Sequence, residues 1–246
     1  MDLSGFSFER VSEDGEFIVL RGELEGNPLS VLLMAPASDH PSPASFERMN
    51  QAYALRDELD PAWAARPVDF ADYRGLRALV LKDPGGDSLN RLVGGLLDTK
   101  QFLRAAIGIA KALCRFHARG LVHRDVRPGN ILVSAAAGDA WLMGFGLTSR
   151  LPRQRQSPEA PEVIAGSLEY MAPEQTGRMN RSIDSRSDLY SLGVTLYEML
   201  VGALPFTASG PMEWVQCHLA RQPGLLSTAG ADPPTAQLPA LTQQDH

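Results

Sequence analysis

The run HRDVRPGN, His123 to Asn130, brings a carboxylate, guanidinium groups and an amide together in one short stretch. That combination and spacing suit chemistry on phosphate. Phosphoryl transfer is mostly positioning and charge neutralisation. It needs an acceptor for a hydroxyl proton, metal ligands, a cation on the phosphates and a lid over them. Further along, WLMGFGL, Trp141 to Leu147, sets two glycines around Phe145 after three large apolar residues. If this stretch serves the same site, it lacks a carboxylate. The nearest acid upstream is Asp139.

The elements that must position these residues follow from periodicity. Residues 6 to 35 read as extended segments, among them EFIVLRGEL and LSVLLMA, separated by the turn-like EGNP, which is a hairpin pattern. Residues 44 to 60 read as a helix with Met49, Ala52, Tyr53, Leu55 and Leu59 on its apolar stripe and Pro61 as its stop. Strands are expected around Ala64 to Phe70 and Arg77 to Leu81, and KDPGGDS, Lys82 to Ser88, as a connector.

The character then changes. TKQFLRAAIGIAKALCRFHARG is an amphipathic helix along Phe102, Ala106, Ile109, Ala110, Leu113 and Phe116 or His117, ended by Gly120. A strand–loop–strand carries HRDVRPGN, and AWLMGFGL enters a loop from a short strand. SDLYSLGVTLYEMLVG predicts a buried helix capped by Ser187 or Asp188, and PMEWVQCHLARQ a further one. Residues 223–246 have no period and are expected to be disordered.

The totals exclude several classes. A net charge of −6 and a pI near 5.4 argue against a nucleic-acid binder. Cys114 and Cys217 are too few for a disulfide framework, and His218 beside Cys217 points elsewhere on a helix, so no metal site is read there. No basic-then-apolar leader opens the sequence and no apolar run could span a bilayer. The expected compartment is the cytoplasm.

With these elements in place, the sequence resembles a eukaryotic-type Ser/Thr protein kinase domain of bacterial origin over Phe6 to Gln222. HRDVRPGN, GFG (144–146), MAPE (171–174) and SDLYSLGVTLYEMLVGALPF (187–206) carry the resemblance in order. APEQTGRMNRSIDSRSDLYSLG further resembles the N-terminal kinase-like domain of large bacterial proteins that also hold an ATPase module, GAF domains and a sensor histidine kinase. The resemblance implies an α+β, two-lobed fold. A small antiparallel-sheet N-lobe with one helix (1–83) would precede a mainly helical C-lobe (84–222) that is cut short.

By the same resemblance Asp125 would accept the proton, Asn130 would ligate metal, and Arg127 would touch the transferred phosphate where the family has lysine. Lys82, Asp83 and Pro84 would meet the adenine of ATP. Arg124 would bind a phosphorylated or acidic activation loop, and Ser167 would order the substrate-binding loop. His123, Phe145, Gly146 and Glu174 would be structural, and Asp188 would accept hydrogen bonds from the catalytic-loop backbone. ATP and magnesium are the implied cofactors. A protein partner, or downstream sensor and ATPase domains, are the implied partners.

The departures are specific. The third strand, LSVLLMA, has no lysine, and none occurs before Lys82. The helix glutamate that should pair with that lysine falls near Gln51, with Glu47 and Glu58 as neighbours. The lid VSEDGEF has the single glycine Gly15. Gly144 stands at the position of the magnesium-holding aspartate. Pro84 offers no N–H to adenine, and Glu174 is expected to lack an arginine partner. Arg150, Arg153 and Arg155 read as a solvated loop, with Ser157 as a possible phosphosite. These losses predict weak or absent ATP binding and a pseudokinase in bacterial signalling. An active kinase with atypical phosphate contacts is the alternative, and a small-molecule phosphotransferase a remote one.

Overall fold

The computed structural model describes residues 1–24, 26, 30–95, 97–134, 137–151, 165–179 and 181–224. Its first region is an antiparallel sheet of β1 (Phe6–Glu13), β2 (Phe17–Leu24), β3 (Ser30–Pro36), β4 (Pro67–Tyr73) and β5 (Leu76–Lys82), in the order β1-β2-β3-β5-β4. The helix α1 (Pro43–Ala54) lies against it. β3 is apolar along most of its length because both its faces are covered. Val31, Leu33 and Ala35 join an outer cluster with Leu20, Ala78 and Val80, while Leu32 and Met34 point to the main core. This is the two-residue alternation of a strand buried on both sides.

The second region holds α2 (Thr99–His117), α3 (Ser185–Val201) and α4 (Pro211–Ala220). Between and beside them run the short strands β6 (Asp87–Ser88), β7 (Leu121–Val122), β8 (Ile131–Val133), β9 (Ala140–Leu142) and β10 (Ser149–Arg150). One core cluster joins the two regions, from Val11, Met34 and Met49 to Phe116, Ile131 and Phe145. The α+β, two-lobed expectation therefore stands.

Several boundaries differ from the sequence expectation, each for a physical reason. α1 ends at Ala54 rather than at Pro61. The N–H groups of Leu55 and Arg56 bond carbonyls three residues back, those of Ala52 and Tyr53, which tightens the helix to a close. Leu55 and Leu59 remain buried in the turn that follows. The strand expected at 64–70 begins at Pro67, because residues 63–65 bond to β9 instead. Ala65 N–H donates to Leu142 O and Leu142 N–H to Trp63 O, both at 2.9 Å.

α2 buries Ala105, Gly108, Ile109, Ala112, Leu113 and Phe116, with Ala110 turned to solvent. Its start is a reciprocal cap. Asp98 accepts from the Gln101 N–H at 2.7 Å, and Gln101 Oε1 accepts from the Asp98 N–H at 3.2 Å.

α3 is capped by Asp184, whose carboxylate accepts from the Arg186 N–H at 2.8 Å. Ser187 and Asp188, the expected caps, lie inside the first turn and are buried. The buried face of α3 is partly polar, carrying Ser187, Ser191 and Thr195, while Leu189 is exposed. Ser191 and Thr195 satisfy their hydroxyls on the carbonyls of Ser187 and Ser191, one turn back. Cys114 is exposed and Cys217 buried. Among the described residues no helix is long and apolar enough to cross a membrane. Arg153, Arg155, Ser157 and the tail from residue 225 onward lie outside the described residues.

The cap at Asp98 gives a direct test. Asp98→Ala should lower unfolding free energy by about 1 kcal/mol, read as a lower urea midpoint at unchanged slope.

Candidate active site

The loop between β7 and β8 is fixed from behind by α3. Asp188, fully buried, accepts from the N–H groups of His123 at 2.8 Å and Arg124 at 2.7 Å. The His117 Nε2 lies 2.8 Å from the same carboxylate. Holding both amides draws Arg124 into the left-handed region, with φ of 68°, a conformation a non-glycine residue keeps only when its surroundings impose it. The carbonyl of Arg124 accepts from Gln175 Nε2 at 2.8 Å. Its buried Nε has no hydrogen-bond partner among the described residues.

His123 is buried against aromatic rings, with centroids at 5.6 Å to Phe116 and 5.5 Å to Phe145. Its Nε2–H donates to Met143 O at 2.9 Å, and its Nδ1 accepts from the Asp125 N–H at 3.3 Å. One ring nitrogen donates and the other accepts, so this is the neutral imidazole. Phe145 stacks on Phe116 at 5.7 Å and is itself buried.

Asp125 has donors on both oxygens. Oδ1 accepts from the Ser167 N–H at 3.0 Å, and Oδ2 from Asn130 Nδ2 at 2.7 Å and Arg127 Nε at 3.3 Å. Asn130 Nδ2 also donates to the Asp125 carbonyl at 2.9 Å. Gly144 is left-handed, with φ of 79°, and a Cβ there would lie 2.5 Å from Asn130 Oδ1 and 2.6 Å from its Cγ. The space a side chain at 144 would need is already held by Asn130. Gly146, in the tight turn Phe145–Leu147, also permits a close approach. A Cβ there would sit 2.8 Å from Arg48 Cβ, so this glycine lets α1 approach closely.

The lid is the turn between β1 and β2, and it carries acids in place of the glycines of a phosphate-wrapping loop. Asp14 pairs with Arg127 and Glu16 with Arg48. Ser12 Oγ donates to Gly129 O at 3.3 Å, tying the lid strand to the catalytic loop. Asp14, Glu16, Met34, Arg48, Asp125, Arg127, Asn130 and Gly144 are among the residues around a cavity of about 50 Å³. That is room for one or two waters. Met34 is the β3 side chain facing this space. Gln51, the residue at the expected glutamate position, donates instead to Thr148 O at 2.6 Å. Glu47 is exposed, and Glu58 pairs with Arg150, which is itself exposed.

Lys82, Asp83 and Pro84 do not join the cavity. The Lys82 N–H donates to Arg66 O at 2.8 Å. The buried Asp83 carboxylate is held by Arg21 at 2.7 and 3.2 Å, and Arg21 also donates to Gly86 O at 2.7 Å. Leu81, its β3 partner Leu32, and Leu132 opposite Ser88 are each at most 2% exposed. Glu174 finds a partner in the hydroxyl of Ser187 rather than in an arginine.

The donor set does not suit magnesium. The Asp125 carboxylate already accepts three hydrogen bonds, Asn130 Oδ1 faces Gly144, and Arg127 stands between Asp125 and Asp14. Among the described residues no group of three His, Cys, Asp or Glu side chains is placed to hold a metal ion. Of the residues singled out in the sequence, the structure brings His123, Asp125, Arg127, Asn130 and Asp188 together. Sequence reasoning misses Arg48, Asp14 and Glu16, whose signal is an acidic lid facing a helix with an arginine among its apolar positions.

The protein kinase domain family model matches residues 67–237. The match begins at β4, so the lid, Met34 and Arg48 lie ahead of it. The chain is 32% identical over 175 residues to the probable serine/threonine-protein kinase PknB of Bifidobacterium longum, covering 70% of this chain and 24% of that protein. It is 34% identical over 167 residues to Pkn1 of Myxococcus xanthus, covering 67% and 22%. It is 29% identical over 222 residues to PknB of Mycobacterium tuberculosis, covering 87% and 32%. The chain thus spans between about a fifth and a third of the length of these curated relatives.

The neutral His123 has a pH signature. Burial pulls its pKa below the ordinary 6.5, and His218 is pulled down for the same reason. The unfolded chain then binds these protons first as pH falls. The contribution is complete above about pH 6.5 and is lost as pH drops from there towards the folded values. The urea midpoint should fall between pH of about 7.5 and about 5.5; a flat profile would contradict a neutral His123.

Proposed function

The chain belongs to the protein kinase domain family, and from that premise we propose that it is a Ser/Thr-protein-kinase-like binding or regulatory module that does not turn over ATP. The observation that carries this is Gly144 with Asn130 packed into the space beside it. No carboxylate stands at position 144, Asp125 is engaged by Ser167, Asn130 and Arg127, and the lid acids Asp14 and Glu16 are paired with Arg127 and Arg48. The buried apolar residues beside Lys82–Pro84 and the proline itself add to this reading on the nucleotide side.

In this reading residues 1–83 and 84–222 are the two lobes. The surfaces that matter are those that meet a protein partner or further domains of a larger signalling protein of the ATPase, GAF and sensor-histidine-kinase type. The relatives' much greater length is consistent with such additional domains.

The test is a thermal-shift titration with ATP, with and without Mg²⁺. A ligand that binds only the folded state raises the melting temperature by mass action. No Mg²⁺-dependent shift is expected at roughly 1 mM ATP, a concentration that would saturate a micromolar site. A clear Mg²⁺-dependent shift at micromolar ATP would sink the proposal.

A second reading, an active Ser/Thr kinase with atypical phosphate contacts, rests on the assembled Asp125, Arg127 and Asn130. It requires transfer of labelled phosphate to a protein substrate, abolished in Asp125→Ala. Label that persists in that variant would come from another enzyme. A small-molecule phosphotransferase is disfavoured by MAPE (171–174) and the long segment ahead of it, features suited to a protein substrate.

A further inference from the structure

α2 carries two apolar stripes on opposite sides. One is the core stripe, with Ala105, Ile109, Ala112, Leu113 and Phe116 all buried. The other is Leu103, Ile107, Ala110 and Cys114, and every one of its members is exposed. Leu103 is 49% and Ile107 53% exposed, among the more open of the large apolar side chains. At 3.6 residues per turn the four fall within roughly 60° of one another, on the side of the helix that faces away from the core. The solvent side of a surface helix is ordinarily polar, and helix formation alone would be served as well by Gln or Glu at these positions.

The steps between the four, of four, three and four residues, are those of the a and d positions of a heptad. With that spacing one helix receives the side chains of another. Ala110, small and central in the stripe, allows a second helix axis to come close.

Charge supplies an independent observation. The 19 residues of α2 include Lys100, Arg104, Lys111 and Arg115 and no acid. All four cations are exposed, and among the described residues none of them pairs with a carboxylate. They follow one edge of the outer stripe, while Thr99, Ala106 and His117 follow the other. The chain as a whole has a net charge of −6, so this edge runs against the overall balance.

We propose that the outer face of α2 docks an amphipathic α-helix of a separate partner protein, with apolar residues at heptad spacing and acidic side chains along the edge that meets Lys100, Arg104, Lys111 and Arg115. The apolar stripe gives the contact its buried centre, and charge pairs along a single edge set the partner's direction. A second copy of this chain is a poorer occupant, because its α2 brings no carboxylate. In an antiparallel pair the two basic edges would lie side by side, and in a parallel pair the cations would face Thr99, Ala106 and His117. An anionic membrane is poorer as well. Helices that lie in a membrane interface place bulky Trp, Phe and Leu on their apolar side, and here only Leu103 and Ile107 are large. None of these residues borders the cavity at Asp125, so the ATP and Mg²⁺ titration and the docking test can fail independently.

The probe is a labelled synthetic peptide of about three heptads with Leu at a and d and Glu at e and g, whose like charges hinder pairing with itself. Its counterpart has Lys in place of Glu. Each is titrated with the full chain and followed by fluorescence anisotropy. The Glu peptide should bind at least roughly tenfold more tightly than the Lys peptide, and its affinity should fall as salt rises from about 50 to about 500 mM. Leu103→Gln with Ile107→Gln should weaken it at least roughly tenfold. Both sites are exposed and Gln is a good helix former, so the melting temperature should stay unchanged. Arg104→Glu with Lys111→Glu keeps the apolar stripe and should turn the preference towards the Lys peptide.

No binding of the Glu peptide, equal binding of the two peptides, or an affinity untouched by both double variants overturns the proposal. If one double variant does not fold, the other carries the test. Vesicles of phosphatidylserine and phosphatidylcholine, and sedimentation velocity of the chain alone, address the other occupants. Vesicle binding or a concentration-dependent dimer that Leu103→Gln with Ile107→Gln abolishes, without binding of the Glu peptide, assigns the face to a membrane or to a second copy and overturns the helix partner.

Discussion

The buried carboxylate of Asp188 is the constraint on which the rest of the site depends. A carboxylate with no exposure is tolerable only if its oxygens are met by donors. Here the donors are the backbone N–H groups of His123 and Arg124, with His117 at the side. These amides belong to the loop that carries Asp125, Arg127 and Asn130. The loop can satisfy the buried charge only by taking one course, and the unusual backbone of Arg124 marks where that course is forced. A residue on α3, 64 positions away in sequence, thereby sets where the polar centre lies.

Shape and polar chemistry are then held by different contacts. Phe116, His123 and Phe145 lock the GFG turn by ring packing, and Gly146 seats α1 beside it. None of these contacts needs a charge at position 144 or a cation on β3. At the centre, Asp125, Asn130, Arg127 and Asp14 satisfy one another through direct bonds. A polar network that closes on itself is stable in a low-dielectric cleft without outside help. The architecture is therefore held by contacts that involve neither a side chain at position 144 nor a cation on β3.

What can be read from sequence follows the range of the forces involved. The apolar run of LSVLLMA and the helical period in TKQFLRAAIGIAKALCRFH are local, and the sheet and α2 are legible from them. HRDVRPGN is legible because its residues act within one loop. Sequence and structure part where distant backbone intervenes. Residues 63–65 leave the expected strand to bond β9, and Asp188 leaves the helix cap to serve the loop. Lys82, Asp83 and Pro84 read as nucleotide contacts because nothing in their sequence announces that Arg21 holds Asp83. Arg48 escapes a sequence reading for a similar reason. The group expected on α1 is a carboxylate near Gln51, and the cleft receives an arginine one turn earlier.

The missing carboxylate and the missing lysine are not two independent vacancies. At Gly144, the space beside Cα is filled by the Asn130 amide, which is also bonded twice to Asp125. An acid restored there must displace Asn130 and so disturb Asp125 before any metal is met. On β3, Met34 belongs to the apolar core that runs to Met49 and Phe145. A lysine in its place would bring a charge into that packing, with no carboxylate at Gln51 to receive it. Among the acids of the cleft, Glu16 is already joined to Arg48 and Asp14 to Arg127. Each position is thus packed against neighbours that fit its present residue, and substitutions in such a contact network do not add independently. The cleft is better understood as repacked around glycine, methionine and an inward arginine than as a kinase site from which two groups have been removed.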